Sequence, residues 1–198
     1  MATHLAIAAA GAAIRGLIRE RYPRDDFGTL VVDCYHANEV EKGLTSDGFA
    51  ILLWRIAINT QRRARGPRVD IFGRRFKPSL PVDLSFLIIP VASAAEKQLR
   101  MLGWVMRALE DAGPLTAAQL NHYLAEDDIF ALEEDVDLVC DPLSLADHLT
   151  MWDRLRKHPL SANYLMRMVL LDSIETMDEA GIVLERAFEV GAIEEPAP

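Results

Sequence analysis

Residues 55–91 of this chain decide its fold, and they read RIAINTQRRARGPRVDIFGRRFKPSLPVDLSFLIIPV. The first part, residues 55–77, is called the basic arm because it holds eight Arg or Lys residues against one acid, Asp70. The second part, residues 82–91, is apolar almost throughout. With 21 basic and 30 acidic residues in all, the rest of the chain carries a net charge of −16 beside a local +7. The protein is therefore acidic, with one concentrated basic element beside a strongly apolar one.

The charge of the whole chain bears on which partners the basic arm can bind. Proteins that bind nucleic acid through phosphate contacts are usually basic overall, whereas this chain has a net charge of −9. A complementary segment lies in the same chain, since residues 125–153 contain ten Asp or Glu residues and no Lys or Arg. Opposite patches on one chain suit head-to-tail association of identical copies. The alternative, that both segments are solvated loops, fits the sequence equally well.

Length and composition predict one domain over residues 1–190, because 198 residues that are 51% hydrophobic can bury a sizeable core. Residues 191–198 include EEPAP and are expected to be a disordered tail. The two cysteines, Cys34 and Cys140, cannot build a disulfide framework, so we expect a reducing, cytoplasmic location. No run of about 18 uncharged apolar residues occurs, and a transmembrane segment is not expected.

Hydrophobic periodicity places strands near both ends of the chain and helices in its middle. The predicted strands are 29–36, 49–58, 82–91, 163–171 and 182–190. The predicted helices begin near residue 7 and at Ser93, Thr116 and Ser144. Because 82–91 is apolar on both faces, we expect it at the centre of the sheet. The pattern predicts an α+β domain, with a mixed β-sheet of about five to six strands packed by three to four helices.

The helix after residue 91 carries the clearest amphipathic pattern in the chain. Ser93 and Glu96 have the spacing of a capping box, as do Thr116 and Gln119 before the next helix. The expected buried stripe of the first of these helices is Leu99, Leu102, Met106 and Leu109. The helix that begins at Ser144 is expected to place on one face Leu145, Leu149, Trp152 and Leu155.

Common catalytic and cofactor motifs do not occur in the sequence, which contains no GxGxxG, GxxxxGK[ST], GxSxG or HExxH. Cys34 and His36 would share a strand face, and His36 with Glu39 forms a loose HxxE pattern. No third or fourth ligand has a recognisable spacing, so a buried thiol is a better interpretation than a metal or Cys/His site. The acids at 133–137 lack the glycine-punctuated spacing of a calcium loop and are interpreted as a solvated or interface-facing loop. We expect no enzyme activity, no metal and no cofactor.

A series of hydrophobic segments with a few polar marks runs through the chain. An apolar strand ends at Asn59 and leads into arginines as LLWRIAINTQRRAR, and it is followed by DLSFLIIPVA and a helix with LGWVMRALED. Further on come DPLSLADHLTMWDRL, LMRMVLL and GIVLERAFEVG. Over most of residues 5–190 these segments resemble the N-terminal domain of tail-cap, or tail-terminator, proteins of phage-tail-like contractile injection systems. Two features depart from the family pattern: the segment 125–138 is unusually acidic, and many members continue beyond the length of this chain.

The resemblance implies a tail-terminator-like fold and a structural, non-enzymatic role. Such a protein is expected to form a ring of six copies at the baseplate-distal end of the particle, where it ends growth of the inner tube and the sheath. The implied partners are further copies of the chain and the tube and sheath proteins, with no small-molecule substrate. The particle is expected to assemble in the cytoplasm, from which it can be released.

The basic arm is the candidate contact with these partners, because the planar guanidinium of arginine can pair with a carboxylate through two hydrogen bonds. The predicted partner-binding residues are Arg62, Arg63, Arg65, Arg68, Arg74, Arg75 and Lys77. An alternative from another class is a nucleic-acid-associated protein that binds through the same arm. A small hydrolase or metal enzyme built around Cys34 and His36 is a third hypothesis.

Overall fold

The computed structural model describes residues 4–42, 46–62, 66–124, 129–131, 134–154 and 160–177. The helices are α1 (Ala6–Arg21), α2 (Arg24–Phe27), α3 (Ala37–Lys42), α4 (Ala95–Glu110), α5 (Ala117–His122) and α6 (Leu145–Arg154). The strands are β1 (Val31–Cys34), β2 (Gly48–Ile58), β3 (Arg68–Val69), β4 (Arg75–Phe76), β5 (Leu80–Val91), β6 (Leu115–Thr116), β7 (Asp135–Cys140) and β8 (Ala162–Leu171). The strand expected at 182–190 and the tail expected at 191–198 lie outside the described residues.

Strand β5 lies inside a six-stranded sheet whose order is β1-β2-β5-β8-β7-β6. Strand β1 is parallel to β2, and the other neighbouring strands are antiparallel. On one side β5 pairs with β2 and on the other with β8, so its backbone is hydrogen-bonded along both edges. Strands β3 and β4 form a separate two-stranded hairpin. The expected α+β class, the mixed sheet and the central position of 82–91 are confirmed.

One face of the sheet is covered by α1, α4 and α5, which together enclose the main core. Alternate residues of β2 and β5, such as Phe49 and Phe86, point to this side because successive side chains of a strand face opposite ways. Trp104 of α4 packs its ring 5.5 Å from that of Tyr22 and 5.8 Å from that of Phe49. Burying each such side chain stabilises the fold by about 1.5–3 kcal/mol. This face therefore supplies most of the hydrophobic stabilisation.

The opposite face carries a smaller core over part of the sheet only. Its buried residues are Val40, Ala50, Leu52, Leu87 and Ile89. At its border the indole Nε1 of Trp54 donates to Asn163 Oδ1 at 2.8 Å, and Asn163 Nδ2 donates to the carbonyl of Asp141 at 2.7 Å. Further along β5 the same face holds Asp83, so it changes from apolar to polar along the strands. That polar end is where the basic arm leaves the sheet.

Helix α4 differs from its expected form in two respects. Its N-cap residue is Ala94, and no side chain caps the first turn, so the capping box of Ser93 and Glu96 does not form. The buried residues are Met101, Val105 and Leu109. Leu99, expected in the buried stripe, is instead 61% exposed. Met106 is exposed as well, whereas Leu109 is buried and Leu102 is partly buried against the main core. The expected stripe is therefore wrong at Leu99 and Met106 and confirmed at Leu102 and Leu109.

The predicted helix starts at Thr116 and Ser144 are also found in the structure. Gln119 donates its backbone N–H to Thr116 Oγ1 at 3.4 Å, and Thr116 donates its own N–H to Gln119 Oε1 at 3.0 Å, which completes the capping box. Before α6, Ser144 Oγ accepts from the N–H of Asp147 at 3.1 Å. Two residues of the expected apolar face of α6 are exposed rather than buried, namely Leu145 and Leu149. The face is therefore not part of the core at these two positions, and the side chain of Trp152 and the residue Leu155 lie outside the described structure.

Several described elements do not appear among the sequence predictions, namely α2, α3, β3, β4, β6 and β7. Helix α3 occupies part of a stretch that looks polar and irregular, and β7 crosses the acidic segment that we expected to be a loop. In β7 the acids Asp135 and Asp137 are exposed while Val136 and Leu138 are buried, so the acids share the outer face of a strand. The loop interpretation of this segment is therefore wrong from Asp135 onward. None of the described helices is long and apolar enough to cross a membrane.

Candidate partner-binding surfaces

Asn59 fixes the point where β2 leads into the basic arm. Its backbone N–H donates to the carbonyl of Pro81 at 3.0 Å, and its side-chain Nδ2 donates to both oxygens of Asp83 at 3.1 and 3.0 Å. Its Oδ1 accepts from the N–H of Gln61 at 3.0 Å, which caps the 3-10 helix Thr60–Arg62. Asp83 also accepts from the N–H of Met168 at 2.9 Å, where φ is 62°. Through Asp83 of β5, these hydrogen bonds connect Asn59, the root of the arm, to both β5 and β8.

Residues 68–76 form the hairpin, a β-turn structure built around the only acid of the arm. One oxygen of Asp70 accepts from the N–H groups of Phe72 and Arg74, each at 2.9 Å, and the other accepts from Arg74 Nε at 2.7 Å. Gly73 has a φ of +79°, which favours glycine at this place in the turn. Burial acts to raise the pKa of Asp70, but the hydrogen bonds from Arg74 and Phe72 outweigh it, so the pKa lies below its ordinary value. The charged carboxylate of Asp70 therefore stabilises the conformation of the turn.

The hairpin is held against the segment that follows β8. The N–H of Lys77 donates to the carbonyl of Glu175 at 3.0 Å, and the N–H of Met177 donates to the carbonyl of Arg75 at 2.8 Å. Phe76 and Thr176 form the antiparallel bridge between these bonds. The ammonium of Lys77 also pairs with the carboxylate of Glu175, and this contact lowers the pKa of Glu175. The hairpin therefore gains a third extended segment and does not stand free of the sheet.

Arg68, the first residue of the hairpin, contacts both the other hairpin strand and the chain after β8. Its guanidinium carbon is 4.4 Å from the centre of the Phe76 ring, within the range of a cation–π contact. Its Nε is 3.6 Å from Asp172 Oδ2, and Asp172 also accepts from Ser79 Oγ at 2.6 Å. With its side chain only 21% exposed, Arg68 is a packing residue of the hairpin.

The predicted partner-binding residues thus fall into three groups. Arg63 and Arg65 lie outside the described residues, and Arg62 ends the 3-10 helix. Three others make ion pairs within the chain, namely Arg68, Arg74 and Lys77. Arg75 is exposed, and the described residues supply no hydrogen-bond or ion-pair partner for its side chain. Within the hairpin, Arg75 is the predicted residue whose charge is available to another molecule.

The apolar tip of the hairpin was not among the predicted contact residues. Ile71 is 92% exposed and Phe72 is 76% exposed, and Val69 on the adjoining strand is 58% exposed. The sequence carries a signal for this feature, since an Ile-Phe pair between Asp70 and Gly73 is unusual in a turn, where polar residues predominate. The hairpin presents two large apolar side chains on a turn that its own hydrogen bonds keep rigid.

A second surface, called the acidic groove, lies beside the outer face of β7 and has a volume of about 950 Å³. Its acids are Asp83, Glu134, Asp135 and Asp137, and Arg167 is the basic residue among those that line it. Its apolar lining includes Ile58, Leu165 and Leu170. One end is fixed by Asn121, which donates to the carbonyl of Phe130 at 2.9 Å and accepts from its N–H at 2.8 Å. Among the described residues, the carboxylates of Asp135 and Asp137 have no ion-pair or hydrogen-bond partner.

Among the described residues, no hydrogen bond joins the side chains of Cys34 and His36. The N–H of His36 donates to Glu39 Oε2 at 2.8 Å, so the HxxE pattern caps the start of α3. Cys34 is an exposed residue, so the expectation of a buried thiol is wrong. Partial desolvation still raises the pKa of its thiol, an effect that Arg15 opposes and Asp33 reinforces, and a thiol with a raised pKa is a weak nucleophile. Among the residues that the structure describes, no three His, Cys, Asp or Glu side chains are grouped as metal ligands.

The sequence and the fold were compared with known proteins. Residues 9–185 match the family described as the Pvc16 N-terminal domain. The fold is similar to the sheath/tube terminator of an extracellular contractile injection system, PVC, in its extended state, with a TM-score of 0.58 and 19% identity over 96% of this chain. It is also similar to the tube-terminating cap of the anti-feeding prophage, with a TM-score of 0.57 and 18% identity over 91% of this chain. A comparison with curated proteins finds no match.

These similarities confirm the tail-terminator-like fold, although the chain spans only 65% and 60% of the length of the two solved chains. Identities this low establish a shared architecture and do not transfer the contacts of those proteins. The family match rests on different ground, because it extends from the first helix past the last described strand. The chain belongs to the Pvc16 N-terminal domain family.

Proposed function

We propose that this protein is a structural cap of a contractile injection system, which ends polymerisation of the inner tube and the sheath at the baseplate-distal end. The observation that carries the proposal is the shared fold, over nearly the whole chain, with two proteins that terminate such tubes. We propose further that six copies form a ring, that the ring assembles in the cytoplasm, and that the role is non-enzymatic. The partners are then further copies of the chain, the tube protein and the sheath protein.

A cap must recognise the end of a polymer, and an unpaired sheet edge is suited to this task. Strand β1 pairs with β2 only from Gly48 to Ile51. Beyond Ile51, residues 52–58 of β2 have no strand partner on this side among the described parts of the chain. An open edge offers backbone N–H and C=O groups to an extended segment of another molecule. This feature supports a contact with the last subunit of a tube or sheath.

The basic arm supports a contact with protein carboxylates. Cations of the arm already pair with carboxylates of the same chain, as Arg74 does with Asp70 and Lys77 with Glu175. These internal pairs reduce the charge that the described arm offers to phosphates. We propose that Arg62, Arg63 and Arg65, together with Arg75, contact carboxylates of neighbouring subunits, tube or sheath.

Imaging of the purified chain, alone and with tube and sheath proteins, tests the proposed function. We expect sixfold rings or capped tubes and a limited sheath length. In the triple variant R62E/R63E/R65E, ring formation or capping should weaken while circular dichroism shows a folded chain. Rings and sheath length that are unchanged in this variant would remove the arm from the proposal. Salt-sensitive binding of short duplexes, without rings or caps, would favour the nucleic-acid alternative instead.

A further inference from the structure

The hairpin tip has the properties of a preformed docking element. Ile71 and Phe72 project from a turn that Asp70 holds through three hydrogen bonds, and Arg75 adds one available positive charge. A segment that is already rigid loses little conformational entropy when it binds. Exposing two large apolar side chains on such a segment has no benefit for the folding of one chain, so the tip is suited to a contact with another molecule.

The acidic groove has the complementary properties. Asp135 and Asp137 lie on its wall without partners among the described residues, and Ile58, Leu165 and Leu170 supply apolar surface beside them. Ile58 is itself 51% exposed. No residue of the hairpin, 68–76, lines this groove, so the described tip does not occupy the groove of its own chain.

The positions of the two surfaces favour a contact between copies. The root of the hairpin adjoins the start of β5, where Leu80 pairs with Leu171, and the acids of β7 lie beside the same part of β8, where Asp137 pairs with Arg167. Both surfaces are therefore at one end of the sheet. A head-to-tail contact between these surfaces on successive copies closes into a ring when the rotation between copies allows it.

We propose that the hairpin tip of one copy inserts into the acidic groove of a second copy. Arg75 then pairs with Asp135 and Asp137, and Ile71 and Phe72 cover the apolar part of the groove that includes Ile58 and Leu165. The occupant is a second copy because the tip and the groove are complementary in charge and in apolar surface and belong to the same chain. This inference rests on the proposed function, since it specifies the contact that builds the ring.

Disulfide trapping between two distinguishable copies tests the contact directly. In a background with C34S and C140S, one copy carries F72C and a longer tag, and the other carries A131C on the exposed rim of the groove. After mixing with tube protein and mild oxidation, we expect the mixed dimer as the main covalent product. Homodimers of the F72C copy would overturn the proposal, because they indicate tip-to-tip contact. An absence of any cross-link in rings that form normally would overturn it as well.

Charge exchange provides a second measurement on the uncross-linked protein. We expect R75E to weaken self-association by about tenfold and D137K to do the same, whereas the double variant R75E/D137K recovers most of the loss. Arg19 supplies the matched control, since it is exposed in the last turn of α1 outside both surfaces, and R19E should leave association unchanged. Equal losses in R19E and R75E would show that only net charge matters and would overturn the proposal.

The two proposals fail in different ways. If the wild-type chain neither assembles into rings nor caps tubes, the proposed function falls and this inference falls with it. If the wild-type chain forms rings that resist both R75E and disulfide trapping, the proposed function stands and the hairpin-to-groove contact is wrong. Sedimentation velocity on the same samples separates these outcomes.

Discussion

Strand β5 and the hairpin at 68–76 lie within a few residues of each other in the chain, and they use apolar residues in opposite ways. In β5 Phe86 is 2% exposed and contacts the main core, whereas in the hairpin Phe72 is 76% exposed. The backbone of β5 is paired on both edges by long strands. The hairpin is held by one carboxylate, two ion pairs and a short third segment.

The difference shows which part of the molecule is built for stability and which for contact. Burial of apolar surface holds β5 in place, so a cavity at β5 would lower the stability of the whole domain. Polar contacts and the buried ring of Phe76 hold the hairpin, so Ile71 and Phe72 at its tip remain available for contact with a partner. Three experiments test this division, beginning with the one that should have the largest effect.

The replacement of Phe86 by alanine should destabilise the whole domain. The cavity and the lost burial are expected to lower the free energy of unfolding by about 3–5 kcal/mol. Phe72 provides the matched control, because its replacement by alanine at an exposed position should change the free energy of unfolding by less than about 0.5 kcal/mol. Urea denaturation followed by tryptophan fluorescence measures both variants. A loss in F72A as large as that in F86A would contradict the assignment of the tip as a contact surface.

The strands of the core could be predicted from the sequence because their signal is local. Residues 82–91 are apolar on both faces, which by itself indicates a strand covered on both sides, and the structure shows β5 in that position. The capping box of Thr116 and Gln119 depends on two residues three apart, and it forms as predicted. The pattern around Asn59 also has a structural cause, since its side chain fixes the exit of the arm from β2.

The rest of the structure depends on contacts between residues far apart in sequence. Helix α4 has apolar residues on two overlapping stripes, and only packing against β5 and α1 selects the one with Met101 and Val105. The role of the basic arm depends on Asp172 and Glu175, which lie about a hundred residues later and neutralise Arg68 and Lys77. A count of charges along the chain cannot reveal these pairs.

The removal of the Asp83 carboxylate should have an intermediate effect, because this residue connects β5 to both the arm and β8. In the alanine variant, the side-chain amide of Asn59 and the N–H of Met168 lose their acceptor, and we expect a loss of about 1–3 kcal/mol in the free energy of unfolding. Asp135 lines the same groove without a described partner, so its alanine variant should differ from wild type by less than about 0.5 kcal/mol. Equal losses in the two variants would show that Asp83 does not hold the root of the arm.

The smallest effect is a local dependence of the hairpin on pH. Because the pKa of Asp70 is lower in the folded chain than in the unfolded chain, its carboxylate stabilises the turn fully above the ordinary value of about 3.9. This stabilisation is lost as the pH falls through the lowered pKa of the folded state, when protonation removes the charged acceptor from the N–H groups of Phe72 and Arg74. A titration by NMR should therefore move the amide resonances of these two residues at a pH below 4 and leave the interior amides of β5 unmoved.

The variant D70N separates this local titration from general acid unfolding. Its amide is similar in shape to the carboxylate and does not titrate, so the resonances of Phe72 and Arg74 should lose their pH dependence while β5 behaves as in the wild type. A titration midpoint at or above about 4 for these amides would mean that the hydrogen bonds of the turn do not favour the carboxylate. Simultaneous movement of β5 and the hairpin would mean that the two regions unfold together. In that case the hairpin would be part of the cooperative core, and its exposed Ile71 and Phe72 would need an explanation other than a separately held contact surface.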